Sequence, residues 1–423
     1  MANNDLITYK AEVWDIMQHT FGRFNDHQLH CVVYFDKHID EACFKRAVNI
    51  SADIFPIIRC KFVGNSYFKF PYWEDCGFTA EDMVKIMETN DMQKTIEESL
   101  IVNTRENCGP QIILNIIRSK NCDCLCIVMN HMIADGAGFK EYLYMISSIY
   151  SNLKNNPDFK LHKKMMNRST KQIFKKFTPL EKAKILLGSA NLSKYNSGIT
   201  FLLEGAEGNP FMVIRKIPRD RFFLIRDYAK RNNATINDAL LAAYIRAINK
   251  VIKFEHISIP CAVDLRKYLP DRQAEGICNL TSNMICDIDY SDGEAYEETL
   301  MNVKKSMDSE KENLSCLKGP LMLEIIFNML PYNKARQLVS KNFSNPPIAI
   351  TNIGVIDKNK LVFEGLSVKD AFINGSIKYK PYFQAAVTTF NDEITLSINF
   401  SGTERDRIRI KEFLSLFDKE LQL

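Results

Sequence analysis

Hydrophobic and polar positions alternate between two periods along most of the chain. The run "HCVVYF" (30–35) is continuously apolar or β-branched and reads as a strand. After it, "DKHIDEACFKRAVNI" sets Cys43, Phe44, Ala47 and Val48 at helical spacing behind Asp40, a good N-cap. "PIIRCKF" (56–62) and "PQIILNIIR" (110–118) read as further strands. "CLCIVMN" (124–130) is a short, wholly buried type of strand, and "GFKEYLYMISSIY" (138–150) is the helix behind it.

The texture changes from about 152 to 198. "NLKNNPDFKLHKKMMNRSTKQIFKKF" is strongly basic and "NLSKYNSG" is polar, so this stretch reads as a crossover between two halves, 1–175 and 176–423. A solvated linker is the ordinary meaning of such a charge run. A docking face for an anionic ligand or an acidic protein is the alternative.

Regular patterning then resumes. "PFMVIRKIP" (210–218), "ISIPCAVDLR" (257–266), "NMICDIDY" (283–290) and "PPIAITNIG" (346–354) read as strands. "TINDALLAAYIRAINKVI" (235–252) reads as a helix opened by a Thr235/Asp238 capping box, with Leu240, Leu241, Tyr244, Ile245 and Ile248 on one stripe. "EITLSINFSG" alternates Ile394, Leu396, Ile398 and Phe400 with polar neighbours, the mark of a half-buried strand, and a helix over 404–421 follows.

Composition narrows the class. At 423 residues and 46% hydrophobic, the chain can bury a large core in about two domains. Lys plus Arg total 55 against 51 acids, and a net charge of +4 is too small to indicate a nucleic-acid binder. The N-terminal stretch has no basic segment followed by an apolar one, and no run approaches the roughly 18 apolar residues of a membrane span. The expectation is a soluble, cytoplasmic protein. Its 12 cysteines are scattered and read as reduced core thiols. Cys122, Cys124 and Cys126 share one strand face, a packing pattern without the spacing of a CxxC metal pair.

The densest chemistry lies in "CIVMNHMIADGAGF" (126–139). A strand end holds His131 on one side and a helix start holds the chain on the other. An imidazole fixed there titrates near neutrality and can take a proton from an alcohol or amine attacking a carbonyl. Asp135 is placed to brace the turn, and Gly136 and Gly138 clear space for a ligand or a neighbouring strand. The plainer reading is that Asp-Gly is a turn pair, Asp135 caps the helix, and His131 is a hydrogen-bonded structural residue.

"NHMIADG" resembles the His-x-x-x-Asp-Gly signature of the chloramphenicol acetyltransferase-like superfamily, which includes condensation domains of peptide synthetases, plant acyltransferases and alcohol acetyltransferases. The opening "HCVVYFDKHIDEACFKRAVNISADIFPIIRCKF" is similar to the start of these proteins. "IPCAVDLRKYLP", "GICNLTSNMIC", "PIAITNIGVID" and the terminal "FQAAVTTFNDEITLSINFSG" resemble later family segments in the same order, so the resemblance spans nearly the whole chain. Two departures matter. Asn130 stands where condensation domains usually carry a first histidine, and the plant enzymes' Asp-Phe-Gly-Trp-Gly segment is absent. What remains looks like the alcohol acetyltransferase branch.

The resemblance implies an α/β fold of two similar subdomains with mixed sheets and an active-site channel between them. It implies that His131 is the general base, that Asp135 is a structural brace paired with Arg266, and that Gly136 belongs to the same motif. Asn130, Ser282, Asn283, Thr351 and Asn352 become candidates for substrate binding or for stabilising the oxyanion. No metal or redox cofactor is implied; acyl-coenzyme A is a co-substrate, with the basic stretch 160–184 near its phosphates. The expected partners are a small-molecule acceptor and acyl-coenzyme A. The alternatives are an acyl group on a carrier protein's phosphopantetheine, and a binding protein of this fold that has lost catalysis.

Overall fold

The computed structural model describes residues 6–64, 66, 68–161, 167–188, 199–342 and 346–421. Its strands run in chain order as β1 (Thr8–Lys10), β2 (Gln28–Phe35), β3 (Cys60–Val63), β4 (Tyr72–Asp75), β5 (Val84–Glu88), β6 (Ile112–Arg118) and β7 (Asp123–Asn130). The second part of the chain adds β8 (Pro210–Ile217), β9 (His256–Asp264), β10 (Thr281–Asp289), β11 (Ile348–Ile356), β12 (Val368–Asn374), β13 (Phe383–Phe390) and β14 (Glu393–Ser401).

The apolar run of β7 is buried along its whole length because it lies inside a five-stranded sheet, ordered β12-β2-β7-β6-β5. Leu125, Ile127 and Met129 face the large first core, while Cys124 and Cys126 face a smaller cluster with Val32, Met212 and Phe372. The period of two in a strand thus separates thiols from aliphatics. A six-stranded sheet, ordered β10-β9-β11-β13-β14-β8, carries the second large core. Both sheets are mixed: β5/β6, β9/β11 and β11/β13 are parallel and the other pairs antiparallel. A small antiparallel sheet, β1-β4-β3, completes the set.

The helices follow the caps read from sequence. Asp40 accepts from the Cys43 N–H at 3.1 Å to open Glu41–Ile54, and Thr235 with Asp238 forms the capping box of Ile236–Val251. Helix Gly136–Asn155 starts two residues earlier than its apolar pattern, because Asp135 caps it by accepting from Gly138 N–H at 2.7 Å.

Several expectations change. The segment 56–62 is not one strand: Pro56 sets the φ of a single 3₁₀ turn, Pro56–Arg59, and β3 begins only at Cys60. β14 is not half-buried. Its polar face is enclosed too, with Asn399 donating to Gly375 O at 2.6 Å and Ser401 to Ala206 O at 2.6 Å. The division at 175 does not separate the sheets, since β12 crosses back and pairs antiparallel with β2, from Val368 opposite Phe35 to Asn374 opposite His30. Nor is the crossover a plain solvated linker. Arg168, Thr170, Gln172, Ile173 and Phe174 are buried and short helices form at Lys171–Phe174 and Pro179–Leu187. Residues 162–166 and 189–198 of that stretch, with the whole of "NLSKYNSG" among them, lie outside the described residues.

Candidate active site

His131 follows the last residue of β7, and the turn 131–135 leads into helix Gly136–Asn155. That turn is gripped from several sides. Asn279 donates one amide to His131 O and Met132 O, both at 2.9 Å. Arg168 donates to Met132 O and Ile133 O, both at 3.2 Å, while its guanidinium pairs with the buried Asp15 at 2.6 Å. Trp73 Nε1 donates to the same Asp15 carboxylate at 2.8 Å. A turn with so many bound carbonyls presents its side chains in one geometry, the condition for precise proton transfer.

Within the turn, His131 Nδ1 lies 3.0 Å from Ala134 O. A carbonyl only accepts, so Nδ1 carries the proton and Nε2 keeps its lone pair. His131 lines a cavity of about 240 Å³ between the two large sheets, and its Nε2 has no hydrogen-bond partner among the described residues. Burial pushes its pKa below the ordinary imidazole value, and the nearby charge of Lys378 pushes the same way; Asp135 acts in the opposite sense. The imidazole is therefore neutral and basic at neutral pH.

Asp135 points away from that atom. Its Oδ2 accepts from Arg266 Nη1 at 3.0 Å and Leu280 N–H at 2.7 Å, and its Oδ1 from Gly138 N–H. Burial alone would raise this carboxyl, but the Arg266 guanidinium and these N–H groups outweigh it and hold it below its usual range. Arg266 sits just past β9 and also donates to Cys278 O at 2.8 Å and Asp264 at 3.1 Å. The Asp135–Arg266 pair thus ties the turn of the first sheet to the β9–β10 connection of the second. Both sequence readings of Asp135 hold at once: it caps the helix and it braces the turn.

Gly136 and Gly138 are cleared for protein neighbours. A Cβ at Gly138 would meet Cys278 O at 2.7 Å, and one at Gly136 would meet Ile353 Cγ2 at 3.0 Å. Lys140, one turn on, donates to Ile353 O at 2.8 Å and fixes β11 beside the cavity.

Of the polar candidates, Ser282, Asn283, Thr351 and Asn352 all line the cavity. Asn352 is committed, accepting from Gly354 N–H at 2.9 Å across the bulge where Gly354 takes φ +84°, and donating to Asn237 at 3.3 Å. Asn130 is not in the cavity. It is fully buried beneath the turn, donating to Gln111 Oε1 at 2.7 Å and accepting from Met132 N–H at 2.9 Å, so its position serves the turn and not a ligand. Sequence reasoning missed Arg168, Asn279 and Lys378. Asn279 lies in the quoted "GICNLTSNMIC" segment, but nothing local marks which asparagine reaches the turn. Among the described residues no cluster of His, Cys, Asp or Glu is arranged to hold a metal ion, and no helix is long and apolar enough to cross a membrane.

No family model matches the chain, and no curated protein matches it by sequence. Solved structures do. Trichothecene 15-O-acetyltransferase from Fusarium sporotrichioides aligns with a TM-score of 0.74 at 15% identity, covering 100% of this chain and 96% of that one. Polyketide synthase associated protein 5 from Mycobacterium tuberculosis gives 0.69 at 12% identity over 98% and 97%. The first condensation domain of the calcium-dependent antibiotic synthetase gives 0.70 at 11% identity over 98% and 96%. End-to-end likeness at such low identity speaks to architecture, and the chain has the two-subdomain chloramphenicol acetyltransferase-like fold that its motifs resemble.

Proposed function

We propose that the protein is an acyltransferase that moves a short acyl group, acetyl or a close homologue, from coenzyme A to an alcohol hydroxyl, with His131 as general base. The observation that carries this reading is the fixed tautomer of His131: a neutral imidazole on the wall of a small cavity between two sheets, with Nε2 unpartnered among the described residues. In the reaction, Nε2 takes the acceptor's proton as its oxygen forms a bond to the thioester carbonyl. The tetrahedral intermediate then loses the carbon–sulfur bond, and the imidazolium returns the proton to the departing thiolate. An amine acceptor would follow the same steps.

The developing oxyanion needs a donor. Ser282 and Thr351 are half-buried hydroxyl residues on the cavity wall and Asn283 an exposed amide there, and these three are the candidates left once Asn352 is committed. A carrier-bound donor is the second reading, supported by the full-length likeness to condensation domains. Both readings place the substrate's thioester at His131 and differ in what lies at the far end of the pantetheine arm.

Thiol release from acetyl-coenzyme A, measured against a panel of alcohols and amines, tests the proposal. Acceptor-dependent release is expected from the wild type, reduced about 10²- to 10⁴-fold in His131→Ala. Release only from an acylated carrier protein would favour the second reading. A folded wild type inert with both donors would leave a non-catalytic binding protein.

A further inference from the structure

Among the described residues that line the cavity, Lys378 is the only lysine or arginine. It lies in the connection from β12 to β13, and its backbone is clamped on both sides: Lys378 N–H donates to Asn399 O at 3.1 Å and Ser401 N–H to Lys378 O at 3.0 Å. Its Nζ donates to Asn25 Oδ1, a neutral acceptor, at 3.0 Å. No carboxylate among the described residues forms an ion pair with it. Asp26 is near enough to act on it, but that carboxyl accepts from the Ile377 N–H at 2.8 Å and the Gln28 N–H at 3.4 Å, and burial pushes it up to about 7. The other acids of the wall, Asp135 and Asp264, both sit on Arg266.

A half-buried ammonium that donates to one amide oxygen and to no carboxylate is uncommon in a fold, since charges drawn away from water are normally paired. Burial pushes Lys378 down to about 8, so the group is still largely protonated at neutral pH. Asp26, pushed up to about 7, supplies only part of a counter-charge at neutral pH, and a ligand's anionic group can supply the rest. The ligand's anionic group must also be near the reacting centre, because Lys378 and His131 line the same cavity of about 240 Å³. A phosphate of coenzyme A is a whole pantetheine arm away from the thioester carbon, so it does not fit. A carboxylate on one of the two small reacting groups does.

We propose that Lys378 binds a carboxylate carried by the acceptor or by the acyl chain, so that one substrate of this protein is a small carboxylic acid, such as a hydroxy acid or a dicarboxylic acyl thioester. This rests on the acyltransferase reading for its place in a reaction, and on the cavity alone for binding. Asn25 from the first part of the chain and the clamped Lys378 backbone from the second would hold the ammonium's orientation relative to His131.

The test compares matched pairs. Acetyl- and succinyl-coenzyme A would each be offered hydroxycarboxylates of three to ten carbons and their methyl esters, with thiol release followed for wild type and Lys378→Gln. The glutamine amide can still donate to Asn25, and a thermal melt checks that the variant is folded. The expected result is an acid-over-ester preference in kcat/KM of about tenfold or more, the range of a charge-assisted hydrogen bond, falling toward unity in Lys378→Gln. If the preference follows succinyl over acetyl instead, the carboxylate belongs to the acyl chain. Absence of any preference in the wild type, or a preference unchanged in Lys378→Gln, overturns the proposal. Calorimetric titration of the same hydroxycarboxylates reads binding without turnover. Lys378-dependent binding with no acyl transfer would sink the catalytic reading and keep the site; no binding and no transfer would sink both.

Discussion

At the residue scale, a backbone atom decides what His131 does. Because Ala134 O can only accept, Nδ1 is the protonated nitrogen and no carboxylate is required to select the tautomer. Burial lowers the imidazole's pKa, so the basic form persists on the acid side of the ordinary value of about 6.5. The rate of acyl transfer should therefore be full above that lowered pKa and fall as pH drops through it; a kcat/KM profile with its midpoint at or above about 6.5 would contradict this. Asp135 offers a second check. Its folded pKa is depressed, so its stabilising contribution is complete above the unfolded carboxylate value of about 3.9 and is lost as pH falls through the lower folded value. Arg266→Ala leaves that carboxylate buried without its one charged partner, a loss of about 3 to 5 kcal/mol in urea unfolding at pH 7 that should shrink on acidification below about pH 4. His131, Asp135 and Arg266 were legible in sequence because a spaced motif marks them. Lys378 and Arg168 were not, because a lone lysine or a lysine-rich run normally lies in solvent, and only the tertiary fold shows Arg168 buried and Lys378 half-buried on the cavity wall.

At the element scale, the site depends on how closely helix Gly136–Asn155 approaches the second sheet. Gly138 lets Cys278 O come so near that any Cβ there would overlap it at 2.7 Å. Gly138→Ala must push the β9–β10 connection away, and with it Arg266 and Leu280, the partners of Asp135. A destabilisation of about 1 to 3 kcal/mol is expected by chemical denaturation, together with a loss of activity larger than the stability change explains. An alanine variant matching wild type in both would show that the contact is slack. Most strands and the capped helices were readable from period and caps. The failures have a common physical cause. Pro56 locked a turn inside an apolar run, and the alternation of β14 was correct as a pattern, but its polar face meets Gly375 and Ala206 backbone where the pattern alone points to water. Periodicity reports two chemically different faces, not what each face touches.

At the scale of the whole molecule, β12 joins the two parts of the chain by main-chain hydrogen bonds. It covers one side of β2, whose Cys31, Val32 and Val33 are fully buried. A fragment ending at 175 lacks that strand and leaves β2 as a bare hydrophobic edge, so it should not fold by itself. Circular dichroism and an NMR spectrum of residues 1–175 would decide; a cooperatively melting, well-dispersed fragment would show that β12 is dispensable. In the intact chain, Trp14 and Trp73 both report on the first core, so their fluorescence and the far-ultraviolet signal should unfold together in urea. The change of texture near 152–198 suggested a two-part chain, but a strand that returns across that boundary leaves no local trace in a sequence.

That returning strand also limits how such a chain can be recombined. A chimera joined once, in the crossover, would bring β12 from one parent against β2 from the other, and the whole ladder from Val368 to Asn374 would pair with a foreign strand. Exchanging acceptor specificity between relatives of this architecture therefore calls for three junctions, so that 368–374 travels with the half it covers and not with the half that encodes it.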